Sequence, residues 1–332
     1  MTLDVLCFPL GTQPQLWYHA LFSNGKAPPI MNSTYCGYVV LLGRPNAGKS
    51  TLMNACVGQK IAGVSRKPQT TRHSIAGIWT EGSHQVIFLD TPGIHKVGKP
   101  NYLNRYMNKT AWSSVKQADL VCYLVDGFQG WQEEDGIFFS QILAQAQSPV
   151  KILVTKADRI KHTQLAQEIK TIQEQTSHSD ILGMSAKRKE DLLGFKHLCQ
   201  RGIPQGPWLY SEDDLTDKPE RFLVSEMIRE QLFRELSQEI PYGTSVTVEP
   251  WTQGQSPLVI RGTIAVNSQN HKPMVIGRGG SRLKTIGTKA RQSLEQHFGG
   301  PVYLELFVKV MENWLDHRPS LELLEGVPGE LI

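Results

Sequence analysis

A chain of 332 residues exceeds what one hydrophobic core usually serves, so two domains are expected. Hydrophobic residues at 40% and charged residues at 20% describe an ordinary globular chain, and no low-complexity tract or repeat of fixed period is present. The net charge of +4 permits an anionic partner without demanding one, so any nucleic-acid argument must rest on where the basic residues lie.

Residues 1 to 34 come first. They lack a basic leader, carry Asp4 early and break at Pro9, Pro14, Pro28 and Pro29, which makes a poor signal peptide and a poor helix. A disordered extension, or an upstream start ahead of Met31, is expected there. The five cysteines, Cys7, Cys36, Cys56, Cys122 and Cys199, are scattered without metal spacing, as suits reduced thiols in a cytosol. No run approaches the roughly eighteen apolar residues of a spanning helix, so any membrane contact would be peripheral.

From Gly37 the run GYVVLLG predicts a buried strand, and short apolar runs recur at Val86 to Leu89, Leu120 to Val125, Val150 to Val154 and Ile181 to Met184. Helical spacing separates them, at Glu134 to Gln145 and Thr163 to Gln175. Strands alternating with helices predict a mostly parallel sheet covered on both faces. The pattern stops after Cys199, where Gly202, Pro204, Gly206 and Pro207 followed by Glu212, Asp213 and Asp214 read as an exposed linker. Beyond it the order becomes helix, strand, strand, helices, strand. Pro219 opens a helix with Val224, Ile228, Leu232 and Leu236 on one face; strands follow at Ser245 to Trp251 and Leu258 to Val266; Leu283, Ile286, Ala290 and Leu294 mark a second helix. The last strand alternates, with Val302, Leu304, Leu306, Val308 and Val310 against Tyr303, Glu305, Phe307 and Lys309.

The chemistry sits at strand ends. Gly43, Arg44, Pro45, Asn46, Ala47, Gly48, Lys49 and Ser50 fit G-x-x-x-x-G-K-[ST] between a strand and the helical segment that starts at Thr51. Such a loop curls backbone N–H groups around a β-phosphate, with Lys49 neutralising charge and Ser50 offering its hydroxyl to Mg²⁺. Asp90, Thr91, Pro92 and Gly93 end the next apolar strand; Asp90 suits Mg²⁺ through water and the Gly93 N–H suits a γ-phosphate. Between the two, Gln69-Thr70-Thr71-Arg72 must supply a threonine to the metal, with Thr71 favoured and Thr70 next. Thr155, Lys156, Ala157 and Asp158 match [NT]-K-x-D, whose carboxylate accepts from guanine N1–H and N2–H₂. Ser185, Ala186 and Lys187 fit the loop that meets guanine O6. Together these motifs point to GTP or GDP with Mg²⁺; a P-loop kinase would have no use for Asp158.

Two features qualify the pattern. The position after the D-x-x-G, where a glutamine commonly orients the attacking water, is Ile94, which cannot hydrogen-bond. The missing help must come from a K⁺ held at Asn46 or from a partner that orders the switches, so the expected catalytic set is Asn46, Lys49, Thr71 and Gly93, with slow turnover. In the second module Ile276, Gly277, Arg278, Gly279 and Gly280 form I-G-x-x-G at a helix entry, amid Arg282, Lys284 and Lys289. A GxxG loop there lets backbone approach nucleic-acid phosphates, so a KH-type RNA-binding fold is expected.

These segments carry a family resemblance: YCGYVVLLGRPNAGKSTLMN from Tyr35, SRKPQTTRHSIAGIWTEG from Ser65, DTPGIH from Asp90, ERFLVSEMIREQLF from Glu220, MVIGRGGSRLKTIGTKAR from Met274 and VYLELFVKV from Val302. The chain resembles the Era family of bacterial ribosome-assembly GTPases from about Tyr35 to its end. The resemblance implies an α/β P-loop GTPase domain at 35–202, a linker at 203–217, an α+β type II KH domain at 218–311 and a tail at 312–332. It further implies a monomer that binds the 3′ end of small-subunit ribosomal RNA and the 30S subunit, in the cytoplasm with loose inner-membrane attachment. Thr155 departs from the more frequent asparagine of the family, and with no carboxamide to tie the loops together a looser base pocket is expected.

Overall fold

The computed structural model describes residues 33–326, apart from 66, 68, 69, 94–101, 238 and 253. Of the extension expected to be disordered over residues 1 to 34, residues 1 to 32 lie outside the described residues, while Thr34 is described, its hydroxyl donating to Gly206 O at 2.9 Å.

In chain order the first half runs β1 (Tyr35–Gly43), α1 (Lys49–Val57), β2 (Ile75–Glu81), β3 (His84–Asp90), α2 (Tyr102–Gln117), β4 (Leu120–Asp126), α3 (Glu133–Gln145), β5 (Val150–Thr155), α4 (His162–Thr176), β6 (Ile181–Gly183) and α5 (Lys189–Gly202). The strands form one sheet in the order β2-β3-β1-β4-β5-β6. Every pairing is parallel except β2 with β3. Because side chains alternate across a strand, the apolar run of β1 feeds two cores at once. Val39 and Leu41 pack on one side with Leu52 and Met53 of α1 and Phe195 of α5. Val40 and Leu42 pack on the other with Val115, Phe139, Ile142 and Ile172 of α2, α3 and α4. The edge strand β2 was not among the expected runs. Its apolar stretch is diluted by Ala76 and Gly77, and Gly77 is there for space: a Cβ would stand 2.7 Å from Met53 Cγ on α1.

Residues 204 to 217 run along the sheet. The Cys36 N–H donates to Pro204 O at 3.1 Å and the Ile78 N–H to Leu215 O at 2.9 Å. Gln85 Oε1 receives the N–H groups of Leu209 and Tyr210.

The second half runs α6 (Glu220–Glu235), β7 (Thr244–Val248), β8 (Leu258–Val266), α7 (His271–Ile276), α8 (Ser281–Phe298), β9 (Val302–Val310) and α9 (Arg318–Glu325). Its sheet has the order β7-β8-β9, with β7 antiparallel and β9 parallel to β8. Val224, Ile228 and Leu232 of α6 and Ile286, Ala290 and Leu294 of α8 cover one face, joined by the even-numbered residues of β9. Tyr303 and Phe307 are exposed on the other.

Helix α6 differs from the simple amphipathic helix that its apolar spacing predicts. The opposite side is buried too, through Glu226, Arg229, Glu230 and Phe233. The reason is a second neighbour: this side rests on the 60–72 loop of the first half, where Lys60 Nζ meets Glu230 Oε2 at 2.7 Å and Arg229 donates to the Thr70 carbonyl. Residues 312 to 326, set apart in sequence as a tail, form a 3-10 turn at Trp314–Asp316 and the helix α9, with Trp314 and Leu321 fully buried beside Leu103 and Met107 of α2.

Candidate functional site

The phosphate loop joins β1 to α1 and its backbone is possible only with particular residues. Gly43 has φ 142° and Gly48 φ 103°, and a Cβ on Gly43 would lie 2.4 Å from Leu124 O. Such close backbone approach is what a phosphate cradle at a helix N-terminus requires. Lys49 is buried, its Nζ donating to Gly43 O and Arg44 O at 3.0 Å each. Burial brings its pKa down to about 8, against the pull of Asp90. Arg44 turns away from the loop to Asp135 of α3, at 3.0 Å, and so braces the loop from behind.

Ser50, Thr71 and Asp90 converge. Ser50 Oγ donates to Asp90 Oδ2 at 2.5 Å and stands 3.0 Å from Thr71 Oγ1, which lies 3.3 Å from the same carboxylate oxygen. Asp90 Oδ1 is buried with no hydrogen-bond partner, and burial raises the carboxyl to about 6 despite Lys49 and the two hydroxyls. A buried carboxylate oxygen left without a partner, beside two hydroxyls, is a set of hard oxygen donors that fits Mg²⁺. Thr70, the alternative, is placed otherwise: its hydroxyl is 2.6 Å from Ser65 Oγ and 2.8 Å from Lys67 O. Thr91 is buried on Leu41 O at 2.9 Å, with Pro92 buried beside it. Gly93 lies against the phosphate loop, where a Cβ would come within 2.9 Å of the Pro45 nitrogen. Gln69 and Ile94 lie outside the described residues.

The base-side loops meet at the ends of β4, β5 and β6. Lys156, in a left-handed conformation with φ 57°, sends Nζ to Asn46 O at 2.7 Å and to Asp126 Oδ2 at 2.5 Å. Asp158 Oδ1 accepts from the Ser185 hydroxyl at 2.6 Å, with Lys187 Nζ 3.6 Å from the other oxygen. That hydroxyl bond, aided by Lys187 and opposed by slight burial, holds Asp158 below the usual carboxylate range. Lys187 N–H returns to Ser185 Oγ at 3.2 Å, so the Ser185-Ala186-Lys187 turn and Asp158 form one unit. Thr155 has no carboxamide, yet it reaches both neighbouring elements. Its hydroxyl lies 2.6 Å from Ala47 O of the phosphate loop and 3.0 Å from Val125 O of β4, with one proton to donate between the two.

The phosphate-loop, Ser50–Thr71 and base-side groups border one cleft of about 910 Å³, a size suited to a nucleotide, while Asp90, buried and bonded to Ser50, is not on its wall. The cleft is lined by Asn46, Gly48, Lys49, Ser50, Thr51, Thr71, Gly93, Lys156, Asp158 and Ala186, while Gly43, Arg44 and Ala47 support it from outside. Sequence reasoning missed Asp126, Phe128, Arg159, Phe233 and Arg234, which also line it. An aromatic two residues after a strand-ending aspartate, 68% exposed in the case of Phe128, was a usable signal. Phe233 and Arg234 come from α6, and no local pattern ties them to a phosphate loop.

In the second half Gly277, Gly279 and Gly280 have φ of 77°, 57° and 77°. Gly277 admits no side chain, since a Cβ would stand 2.7 Å from Arg282 Cβ. Arg278 and Lys284 are exposed, Ile276 is half-buried behind them, and Arg282 donates to Met274 O at 2.7 Å. Lys289 points to Glu235 of α6 instead, as an ion pair.

A phosphate loop, a hydroxyl-and-carboxylate metal corner and a guanine-type carboxylate on one sheet, followed by a GxxG turn on a three-stranded α+β unit, define a P-loop GTPase that carries a KH domain. A family model for a 50S ribosome-binding GTPase matches residues 38–156, and one for a KH domain matches residues 239–315. GTPase Era of Azotobacter vinelandii is 42% identical over 294 residues, 88% of this chain and 97% of that protein. GTPase Era of Yersinia enterocolitica is 40% identical over 296 residues, 89% and 97% respectively. Among solved structures, an Aquifex aeolicus Era variant bound to GDP and AlF4⁻ is 35% identical with a TM-score of 0.82, covering 88% of this chain and 99% of that one. Era in complex with MgGDPNP and nucleotides 1506–1542 of 16S ribosomal RNA is equally similar at 35% and 0.82, covering 88% and 98%. The chain belongs to the Era family of GTPases.

Proposed function

We propose that this chain hydrolyses GTP as a slow switch and, through its KH domain, takes the single-stranded 3′ end of small-subunit ribosomal RNA during 30S subunit assembly. The observation that carries the proposal is the presence in one chain of the Asp158–Ser185 pair, the Ser50–Thr71–Asp90 corner and the GxxG turn. An Era structure that is 35% identical holds MgGDPNP and 16S ribosomal RNA together.

Ser50 and Thr71 would hold Mg²⁺ directly and Asp90 through water; the ion supplies charge neutralisation on the β- and γ-phosphates. The residues Gly43 to Thr51 wrap the phosphates with backbone N–H groups. Lys49, stripped of water, brings its charge at full strength once it leaves Gly43 O for a phosphate oxygen. Gly93, which lies against Pro45, would offer its N–H to a γ-phosphate, and Asp158 would accept from the guanine edge. A K⁺ held partly by Asn46 would stand where an arginine finger stabilises transition-state charge. Arg278, Arg282 and Lys284 would meet the RNA phosphates around Ile276 to Gly280, and Lys289 would join them only by leaving Glu235. We further propose that the chain acts as a monomer in the cytoplasm with peripheral contact at the inner membrane; among the described residues no helix is long and apolar enough to cross a bilayer.

The test is binding of an RNA oligonucleotide matching the 3′ end of small-subunit ribosomal RNA to the full chain loaded with a GTP analogue. Replacing Arg278 and Gly279 by aspartate is expected to lower affinity more than about tenfold and to flatten its salt dependence, with GTP affinity unchanged. RNA binding that survives the double replacement would mean the RNA is held elsewhere.

A further inference from the structure

Thr71 and Arg72 are neighbours in sequence and point into different halves of the molecule. Thr71 Oγ1 faces Ser50 and Asp90. Arg72 is 2% exposed and sits wholly among residues of the second half. Its Nη1 donates to Thr244 O at 2.8 Å and to Glu325 Oε1 at 2.6 Å; its Nη2 donates to Tyr242 O at 3.0 Å and Pro241 O at 3.2 Å. Phe233 and Trp314 place their rings 5.9 and 5.7 Å from the guanidinium carbon. Glu325, the last residue of α9, uses its second oxygen for His73 Nε2 at 2.8 Å. On the other side of Thr71, Arg229 of α6 holds the Thr70 carbonyl. Trp314 in turn is fixed by its indole N–H to Gly243 O at 3.1 Å.

A buried guanidinium with four acceptors on its two Nη atoms is expensive to displace, because any acceptor lost leaves charge without compensation. Consecutive Cα atoms are about 3.8 Å apart, so a displacement at Arg72 is felt at Thr71 with little room to absorb it. Both flanks of the switch threonine are therefore held by the second half of the chain, and one of the holding groups is the final residue of the last helix. We infer that Arg72 and Glu325 are positioning residues for Thr71, so that helix α9 sets the Mg²⁺ requirement of GTP hydrolysis. The inference rests on the proposed role of Thr71 at Mg²⁺.

Two variants test it in the full chain. Glu325→Gln keeps the shape and an acceptor oxygen for Arg72 while removing the charge. Arg72→Met combined with Glu325→Leu removes both charges, which avoids leaving one buried alone. The measurement is single-turnover GTP hydrolysis titrated with Mg²⁺, alongside GDP affinity, in which a γ-phosphate-dependent switch threonine takes no part. The Mg²⁺ midpoint is expected to rise roughly three- to thirtyfold in both variants, with GDP affinity within about twofold of the wild type. A wild-type midpoint in either folded variant, even with a lower melting temperature or a lower rate at saturating Mg²⁺, overturns the inference and leaves the pair merely structural. A second measurement needs no mutation. Coupling is reciprocal, so adding Mg²⁺ to the wild-type chain loaded with a GTP analogue must raise hydrogen-exchange protection in residues 318 to 325. Unchanged protection there also refutes it. Absence of Mg²⁺-dependent GTP hydrolysis in the wild type would instead strike the proposed function itself.

Discussion

Replacing Thr155 by valine keeps the side-chain shape and removes one hydroxyl. That hydroxyl has a single proton and two carbonyl oxygens in reach, Ala47 O at 2.6 Å and Val125 O at 3.0 Å, so one full hydrogen bond is lost. Thr155 is buried, and leaving a buried acceptor unpaired costs about 1–3 kcal/mol. Ala47 belongs to the phosphate loop, which must be closed when nucleotide is bound. If the whole cost fell on the bound state, affinity would drop roughly 5- to 150-fold. Part of it also falls on the free protein, so a loss of about fivefold is expected, equal for GDP and GTP. The preference for guanine over xanthine should not change, because Asp158 and Ser185 make that choice without Thr155. Thr155→Asn, with two amide protons for the two carbonyls, should bind at least as tightly as the wild type. The assay is nucleotide titration by fluorescence beside thermal unfolding of each variant. Wild-type affinity and stability in Thr155→Val would show that the hydroxyl ties nothing, and an altered guanine-to-xanthine ratio would show that Thr155 helps to read the base.

Asp158→Asn should exchange guanine for xanthine preference, since an amide can donate to the xanthine O2; undiminished GTP binding in an exchange titration would refute the assignment of Asp158. Hydrolysis should run faster in K⁺ than in Na⁺ at matched ionic strength if a cation at Asn46 stabilises transition-state charge, and equal rates would leave RNA or a protein as the activator. Burial pushes Glu325 up, but the Arg72 charge together with His73 outweighs it and holds the carboxyl far below its ordinary 4.5. A depressed folded-state pKa contributes stability that is present above the unfolded value and is lost as pH falls through the folded one. Acid unfolding followed from pH 5 downward should therefore be less steep in the Arg72→Met, Glu325→Leu double variant than in the wild type, and parallel curves would contradict it.

What could be read in sequence was local. The phosphate loop, DTPG, TKAD and SAK each announce themselves because glycines, a carboxylate and a strand end lie within a few residues, and the sheet then brings them to one edge. The even-odd alternation of β9 was equally plain. The strand β2 was not, because the close packing against Met53 demands Gly77 in the middle of it and so erases the apolar signal. Nor could α9 be foreseen. An isolated eight-residue helix is unstable in water, and this one is held by Leu321 in a core shared with α2 and by Glu325 on Arg72, contacts from far along the chain. Arg72 itself reads as a surface residue in a polar switch segment until its four acceptors are seen.

Helix α6 has a further consequence for how the halves could part. The residues it keeps for its own sheet, Val224, Ile228 and Leu232, are apolar, while the side it lends to the 60–72 loop carries Glu226, Arg229 and Glu230. If the KH domain swung away, the face of α6 laid bare would carry Glu226, Arg229 and Glu230, which water solvates readily, around the single ring of Phe233, while Val224, Ile228 and Leu232 would stay covered by their own sheet. An apolar seam of the same extent would become a sticky patch each time it opened, inviting aggregation. A helix face with Glu226, Arg229 and Glu230 on it can be uncovered and covered again with less of that hazard.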